Sequence, residues 1–304
     1  FDKYLLKASL RYDGSSRFGA ENRYGWFPAA SAGWIISEED FLGGSETVSL
    51  LKLRGSWGIT GNAGIGNFAS LGLFSGGAYN KIATLYPTQL GNPDLKWERT
   101  DQVDVGLDFG FFNNRLSGEV DYYVKKTNDL LLNQPVPGTS GFPSITKNVG
   151  SMTNQGFEFV LNTKNFTSED FKWDTSFNLS TLDNEVTDLP GGDIVSGVNI
   201  VREGETISSF YIVEYAGVDP ANGDALFYKN TLLADGTRDR TTTASYNEAS
   251  RVVLGSAYPD LMIGLTNTMY FHNFDLSFTF QGEWGASLYN SGGKFQSGNA
   301  RYED

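Results

Sequence analysis

From Val103 to Phe111 every second residue is apolar (Val103, Val105, Leu107, Phe109, Phe111), and the residues between are Asp104, Gly106, Asp108 and Gly110. After Asn113-Asn114 the alternation resumes, with Leu116, Gly118, Val120, Tyr122 and Val124 in one phase and Arg115, Ser117, Glu119, Asp121 and Lys125 in the other. Side chains of a strand point alternately to its two sides, so this pattern predicts a hairpin with one oily and one charged face. The cleanest further strand is "FDLSFTFQGEW", which places Phe274, Leu276, Phe278, Phe280 and Trp284 against Asp275, Ser277, Thr279, Gln281 and Glu283. Just before it, Leu261, Ile263, Leu265, Met269 and Phe271 share a phase that Asn267 interrupts, and "FHNF" supplies the turn. Other strands are expected from Tyr4, Tyr24, Leu51, Gln155 and Phe171, with weaker candidates at 208–217 and 224–229. The sum is an all-β chain of about eleven antiparallel strands with almost no helix.

The spacing between these strands alternates. Tight connections are expected at 112–115, 165–170, 219–223 and 271–273, and long ones at 61–96, 127–154, 183–206 and 230–257. Up-and-down strands whose loops are long at one end only would produce this, as outer-membrane barrels do. Strands of roughly 9 to 13 residues suit a tilted crossing of hydrocarbon, which needs about 9–11, better than the usual soluble strand of about 5–6. Rings gather near strand ends: Phe111, Phe112, Phe171, Trp173, Tyr270, Phe271 and Phe274 beside short turns, and Trp97, Tyr122, Tyr123 and Trp284 toward long loops. Two interfacial girdles are the expectation. Periodicity by itself also fits a soluble β-sandwich or a β-rich binding module, in which each apolar face must meet a second sheet.

Composition narrows the partners. A net charge of -13 over 304 residues leaves no basic stripe for nucleic acid. There is no run of about 18 apolar residues, so a transmembrane helix is excluded, while a mean hydropathy of -0.30 is compatible with strands that turn only half their residues to lipid. With no cysteine there is neither a disulfide framework nor a thiolate metal site. The first residue is Phe1 and the last run is "GNARYED", so the chain is expected to be an excerpt of a longer one.

The wording of several blocks then becomes informative. "GNPDLKWERTDQVDVGLDFGFFNNRLSGEVDYYVKKTNDLLLNQPVP", followed by "NVGSMTNQGFEFVLN", resembles the barrel of SusC/RagA-type TonB-dependent outer-membrane transporters. "RYDGSSRFGAENRYGWFPAASAGWIISEEDFL", "LKLRGSWGITGN" and "YPDLMIGLTNTMYFHNFDLSFTFQGEWGASLYN" extend the resemblance in the same order from end to end. The resemblance implies a transmembrane barrel of about 22 strands plugged from within, of which residues 1–304 would be a partial, open wall lacking the plug, the early strands and the final strands. It also implies TonB-dependent import of glycans or peptides in the bacterial outer membrane. Its implied partners are a SusD-like surface lipoprotein and the TonB–ExbB–ExbD complex, the latter reached through segments outside this chain. The alternative from another class is a soluble β-rich carbohydrate-binding module, with a glycoside hydrolase behind it.

No catalytic, cofactor or metal residue is expected. "GNAGIGNF" from Gly61 lacks the order of a dinucleotide-binding loop and reads as a bend after a strand. "DPANGD" from Asp219 lacks the downstream glutamate of a calcium loop and reads as a tight turn. His272, the single histidine, falls in a turn, and so do Glu169 and Asp170, which as a carboxylate pair invite comparison with glycosidases. Phe68, Phe74, Tyr79, Tyr86, Phe142 and Tyr246 are loop aromatics suited to stacking on sugar, on a partner or on each other. Sequence alone does not identify the substrate-binding residues.

Overall fold

The computed structural model describes residues 2–292. Its frame is one antiparallel sheet of nine successive strands: β1 (Tyr4–Gly14), β2 (Tyr24–Ile35), β3 (Val48–Asn62), β4 (Glu98–Phe111), β5 (Leu116–Asn128), β6 (Ser151–Thr167), β7 (Phe171–Thr181), β8 (Leu261–Phe271) and β9 (Phe274–Trp284). Each pairs with its neighbour in chain order, and a short run, Asp183–Asp188, continues beyond β7 alongside β6. The path ends at β1 and β9, which do not pair with each other, so the sheet is open. All nine strands expected from strong alternation are here. The two weaker candidates are strands of a different kind: Ser209–Val213, Tyr215–Val218 and Ala225–Tyr228 form small sheets within the connection between β7 and β8.

The connections separate into two ends. At the turn end lie 36–47, 112–115, 168–170 and 272–273; at the loop end lie 15–23, 63–97, 129–150 and 182–260. The tight turn at 219–223 is inside the last of these loops, closed by Gly223 N donating to Asp219 O at 2.8 Å, and does not belong to the turn end. Asn113 and Asn114, with φ of 54° and 57°, supply the left-handed backbone that joins β4 to β5, a region asparagine enters more readily than most residues.

Register fixes which face each side chain takes, because residues directly opposite across strands share a side. Trp57, Val103 and Val124 form one such row, as do Gly55, Val105 and Tyr122. This face carries the apolar phase throughout, and no second layer of the described residues covers it: Leu6 is 86% exposed, Val105 52% and Phe280 64%. The buried apolar residues lie elsewhere, on the opposite face or in the loops. Phe18, Ala69 and Leu95 form one cluster with Trp97 against it, and Val186, Leu189, Ile194 and Val201 form another. A soluble sandwich would bury the alternating apolar face of its strands; this sheet leaves most of that face exposed and buries its apolar residues on the other side or in its loops.

The rings divide by the same rule. Phe111, Phe171, Trp173, Phe271 and Phe274 stand on the outer face at the turn end, and Tyr122 and Trp284 on the outer face toward the loops. Three expected girdle members do not. Tyr270 lies opposite Lys172 and Asp275 on the inner face, and Tyr123 lies opposite Asp104 there. Trp97 packs inward on Phe18 and Phe27, with ring centroids 5.2 and 5.3 Å away. In their place the loop-end rim has Tyr12 stacked against Tyr24 at 5.2 Å and in tilted contact with Trp26 at 4.4 Å. At the turn end Glu39 ties the first two strands together, accepting from Trp34 Nε1 at 2.9 Å, Tyr4 OH at 2.7 Å and Lys3 Nζ at 3.3 Å. The Trp34 indole above all holds the Glu39 carboxyl below its ordinary pKa.

Asn267, the interruption in the apolar phase of β8, has its side-chain carbonyl oxygen bonded by two neighbouring donors. Its Oδ1 accepts from Trp173 Nε1 at 2.9 Å and from Thr175 Oγ1 at 2.7 Å. Thr175 in turn accepts from Asn165 Nδ2 at 2.7 Å, and Asn165 accepts from Thr163 Oγ1 at 2.9 Å. The β6 register shift between Lys164 and Phe166 brings Asn165 into this chain. A polar group on an oily face is costly unless bonded, and here the oxygens of Asn267, Thr175 and Asn165 each have a donor.

An arginine at mid-strand on the outer face tests whether that uncovered apolar face is solvated by hydrocarbon. In the complete protein folded into lipid vesicles, Val105→Arg is expected to lower unfolding free energy by about 2–4 kcal/mol. Gln281→Lys, on the inner face of β9, should leave the denaturation midpoint within about 0.5 kcal/mol of wild type.

Candidate functional site

The middle of the inner face is polar, and its charged centre is Arg54. The register sets Arg54 of β3 opposite Gly106 of β4, and Gly106 opposite Asp121 of β5. Arg54 Nε donates to Asp108 Oδ1 at 2.6 Å, and its Nη2 donates to Asp121 Oδ2 at 2.5 Å and to Glu119 Oε2 at 3.3 Å. Lys52 Nζ donates to the second oxygen of Asp108 at 2.9 Å. The guanidinium reaches across a whole strand because Gly106 has no side chain; a Cβ there would collide with both Arg54 and the Asp121 carboxylate. Asp104 accepts from Ser56 Oγ at 3.0 Å and from Gln102 Nε2 at 2.8 Å. Lys52 and Arg54 thus pair with three carboxylates, Asp108, Glu119 and Asp121, and Asp104 adds a fourth nearby on Ser56 and Gln102, so this part of the wall keeps an acidic excess. Such a band resists anions and tolerates neutral or cationic solutes.

Toward the loop end the inner face runs into a collar of connections held together by hydrogen bonds. Asn92 Nδ2 donates to Thr146 O at 2.9 Å, joining 63–97 to 129–150. Asn148 reinforces the join, accepting from Lys96 N at 2.9 Å and donating to Lys96 O at 2.8 Å. Arg17 Nη1 reaches from the β1–β2 connection to Ala63 O at 2.8 Å, and Leu131 N donates to Glu98 Oε2 at 3.0 Å. The connection 182–260 has its own knot: Arg240 grips both oxygens of Glu214 at 2.6 and 2.9 Å and lies 3.9 Å from the Tyr228 ring centre. Fully buried Asn230 donates to Glu214 at 3.0 Å and accepts from Arg240 at 2.9 Å. Paired with Arg240, the Glu214 carboxyl sits below its ordinary pKa.

The residues singled out from sequence are scattered over this frame. His272 lies at the turn end with Nδ1 3.6 Å from Asp170 Oδ1, both side chains largely exposed. Glu169 is in the adjoining turn, away from any of the larger cavities. The Asp219 turn satisfies itself, with Asp219 Oδ1 accepting from Ala221 N at 2.9 Å and Asn222 Nδ2 donating to Asp224 at 2.8 Å. Among the described residues no group of three His, Cys, Asp or Glu could hold a metal. Phe74, Tyr79 and Tyr86 stand out on a free hairpin, Leu73–Tyr79 with Ile82–Gln89, and Phe68 is exposed just before it. Tyr246 meets Phe227 edge-on at 5.5 Å in another loop. "GNAGIGNF" is indeed a bend after β3, where Gly64 N donates to Asn62 Oδ1 at 2.8 Å. The Arg54 centre was missed as a unit; the signal was present, since Lys52 and Arg54 occupy the polar phase of one strand and the acids that of the next two.

A family model described as "TonB dependent receptor-like, beta-barrel" matches residues 1–202. TonB-dependent receptor SusC of Bacteroides thetaiotaomicron is 38% identical over 315 residues, covering 95% of this chain and 30% of that protein. TonB-dependent receptor P3 of Formosa agariphila is 35% identical over 312 residues, covering 95% and 31%. Among solved structures, the RagAB peptide importer in its closed-closed state superposes with a TM-score of 0.82 at 34% identity, over 93% of this chain and 32% of that one. The chain thus spans about a third of the length of the relatives it matches.

Loss of the shared arginine should unbalance the inner wall. Arg54→Met is expected to cost about 1–2 kcal/mol, less than for a fully buried pair because the cluster is partly solvated. Adding Asp108→Asn and Asp121→Asn to it should recover most of that loss, read from denaturation midpoints of the complete protein in detergent.

Proposed function

The chain belongs to the TonB-dependent receptor β-barrel family, and from that premise we propose that it supplies wall and mouth to an outer-membrane active transporter importing glycans or peptides. The observation that carries this reading is the division of one sheet into an uncovered apolar face and a charged inner face, with the three longest connections, 63–97, 129–150 and 182–260, all at one end. The apolar face is solvated by acyl chains, the inner face lines the lumen, and the loop end faces outward to meet substrate. Residues 1–304 act as one barrel segment, with a plug and further strands contributed by the rest of the protein. Import proceeds by binding and by energised movement of the plug, with no covalent step assigned to this chain. The partners are a SusD-like surface lipoprotein at the loop end and the TonB complex on the periplasmic side. Support for the lipoprotein comes from the likeness to SusC and to the RagAB importer, and from the exposed aromatic hairpin at Leu73–Tyr79, which offers surface at the mouth.

The test is uptake in cells making the complete protein. Labelled oligosaccharide and peptide pools should enter only when the protein is present, and entry should stop when TonB is deleted. Recovery of the protein in the aqueous fraction, or uptake at an undiminished rate without TonB, would overturn the reading.

A further inference from the structure

Between the stapled connections 63–97 and 129–150 lies a cavity of about 430 Å³, within the range of small-ligand sites. One wall is Gly64, Ile65 and Gly66, the bend after β3; the other includes Asn133, Phe142 and Ser144. None of its lining residues is ionisable, although the chain as a whole carries 59 charged residues, 23 basic and 36 acidic. The polar groups it presents are of both kinds. Among the described residues, Asn133 Nδ2, Ser144 Oγ and Gln89 Oε1 make no hydrogen bond, while the other ends of the two amides are committed. Asn133 Oδ1 accepts from Thr146 Oγ1 at 2.8 Å, and Gln89 Nε2 donates to Phe68 O and Leu71 O at 3.0 and 2.8 Å. Each amide is therefore held in one orientation, one offering its donor and the other its acceptor. The walls are also fixed relative to each other, since Asn92 bonds across to Thr146 at the cavity's own lining.

From this geometry we propose that the cavity binds an uncharged, hydroxyl-rich ligand, a saccharide unit of a neutral oligosaccharide. Every sugar hydroxyl both donates and accepts, which matches an oriented amide donor, an oriented amide acceptor and a serine hydroxyl around one space. The Phe142 ring supplies an apolar surface for the C–H face of a sugar. A uronate, a sulfated sugar or a peptide with charged side chains would lose hydration there and find no counter-charge. The proposal rests on the import reading above and narrows its substrate class.

Gly66 gives the blocking variant. Gly66 lines the cavity, a Cβ there meets nothing within 4 Å, and its backbone φ is not in the left-handed range, so a large side chain adds bulk at the cavity wall without strain on the main chain. The complete transporter, purified in detergent, is applied to an array of neutral oligosaccharides, uronate and sulfated oligosaccharides, and peptides. Neutral oligosaccharides should be retained, Gly66→Trp should abolish their retention, and Asn133→Ala should weaken it about tenfold, the loss expected of one neutral hydrogen bond. If Gly66→Trp does not assemble, Asn133→Ala decides. Retention of charged sugars or peptides alone, retention of nothing, or neutral-sugar binding that both variants leave unchanged would overturn the proposal. TonB-dependent uptake that continues alongside any of those results leaves import standing and removes only the cavity's role; absence of TonB-dependent uptake removes import itself.

Discussion

Everything in this structure follows from the two-residue period of a strand combined with in-plane pairing of its backbone. Once neighbouring strands are hydrogen-bonded, each cross-strand row of side chains is committed to one side of the sheet, and a slip of one residue would exchange the faces entirely. Strands here are long, from 11 residues in β1 to 17 in β6. A continuous sheet therefore separates two environments over its whole breadth. On the proposed reading, with hydrocarbon on one side, the backbone must bond within the sheet, because no water is available there. The apolar face then needs no protein cover, and the inner face is free to be as charged as its solute requires.

The departures from strict alternation show the same constraint at work. Asn267 is admitted to the apolar face because Trp173, Thr175, Asn165 and Thr163 form a hydrogen-bonded chain around it, and a β-bulge positions one member. On the inner face the opposite problem arises, since carboxylates from adjacent strands crowd together. Arg54 answers it by lying over Gly106 and serving two strands at once. Small residues and bulges appear where a side chain must cross a strand rather than stand above its own.

The wall was legible in the sequence because alternation is a local signal that each strand carries by itself. Val103 to Phe111 and Phe274 to Trp284 state their faces without reference to any partner. Rings such as Tyr123 and Tyr270 were misplaced when nearness to a strand end was allowed to outweigh phase; counting by twos from Tyr122 and Phe271 puts both inward. The loop end was far less legible. Ser209–Val213 and Ala225–Tyr228 are short strands that pair inside a loop, and nothing in their residues distinguishes that from a place in the wall. The cavity was hidden for a further reason: its polar atoms come from Gln89, Asn133 and Ser144, ordinary loop residues in two separate connections, brought together by Asn92 and Asn148.

The absence of cysteine in these residues makes the central claim directly measurable. Single cysteines at positions 103 to 108, each carrying an environment-sensitive fluorophore, can be introduced into the complete protein in vesicles containing brominated lipid. Quenching should alternate, strong at 103, 105 and 107 and weak at 104, 106 and 108. Uniform quenching, or none at the three apolar positions, would contradict the assignment of that face to lipid.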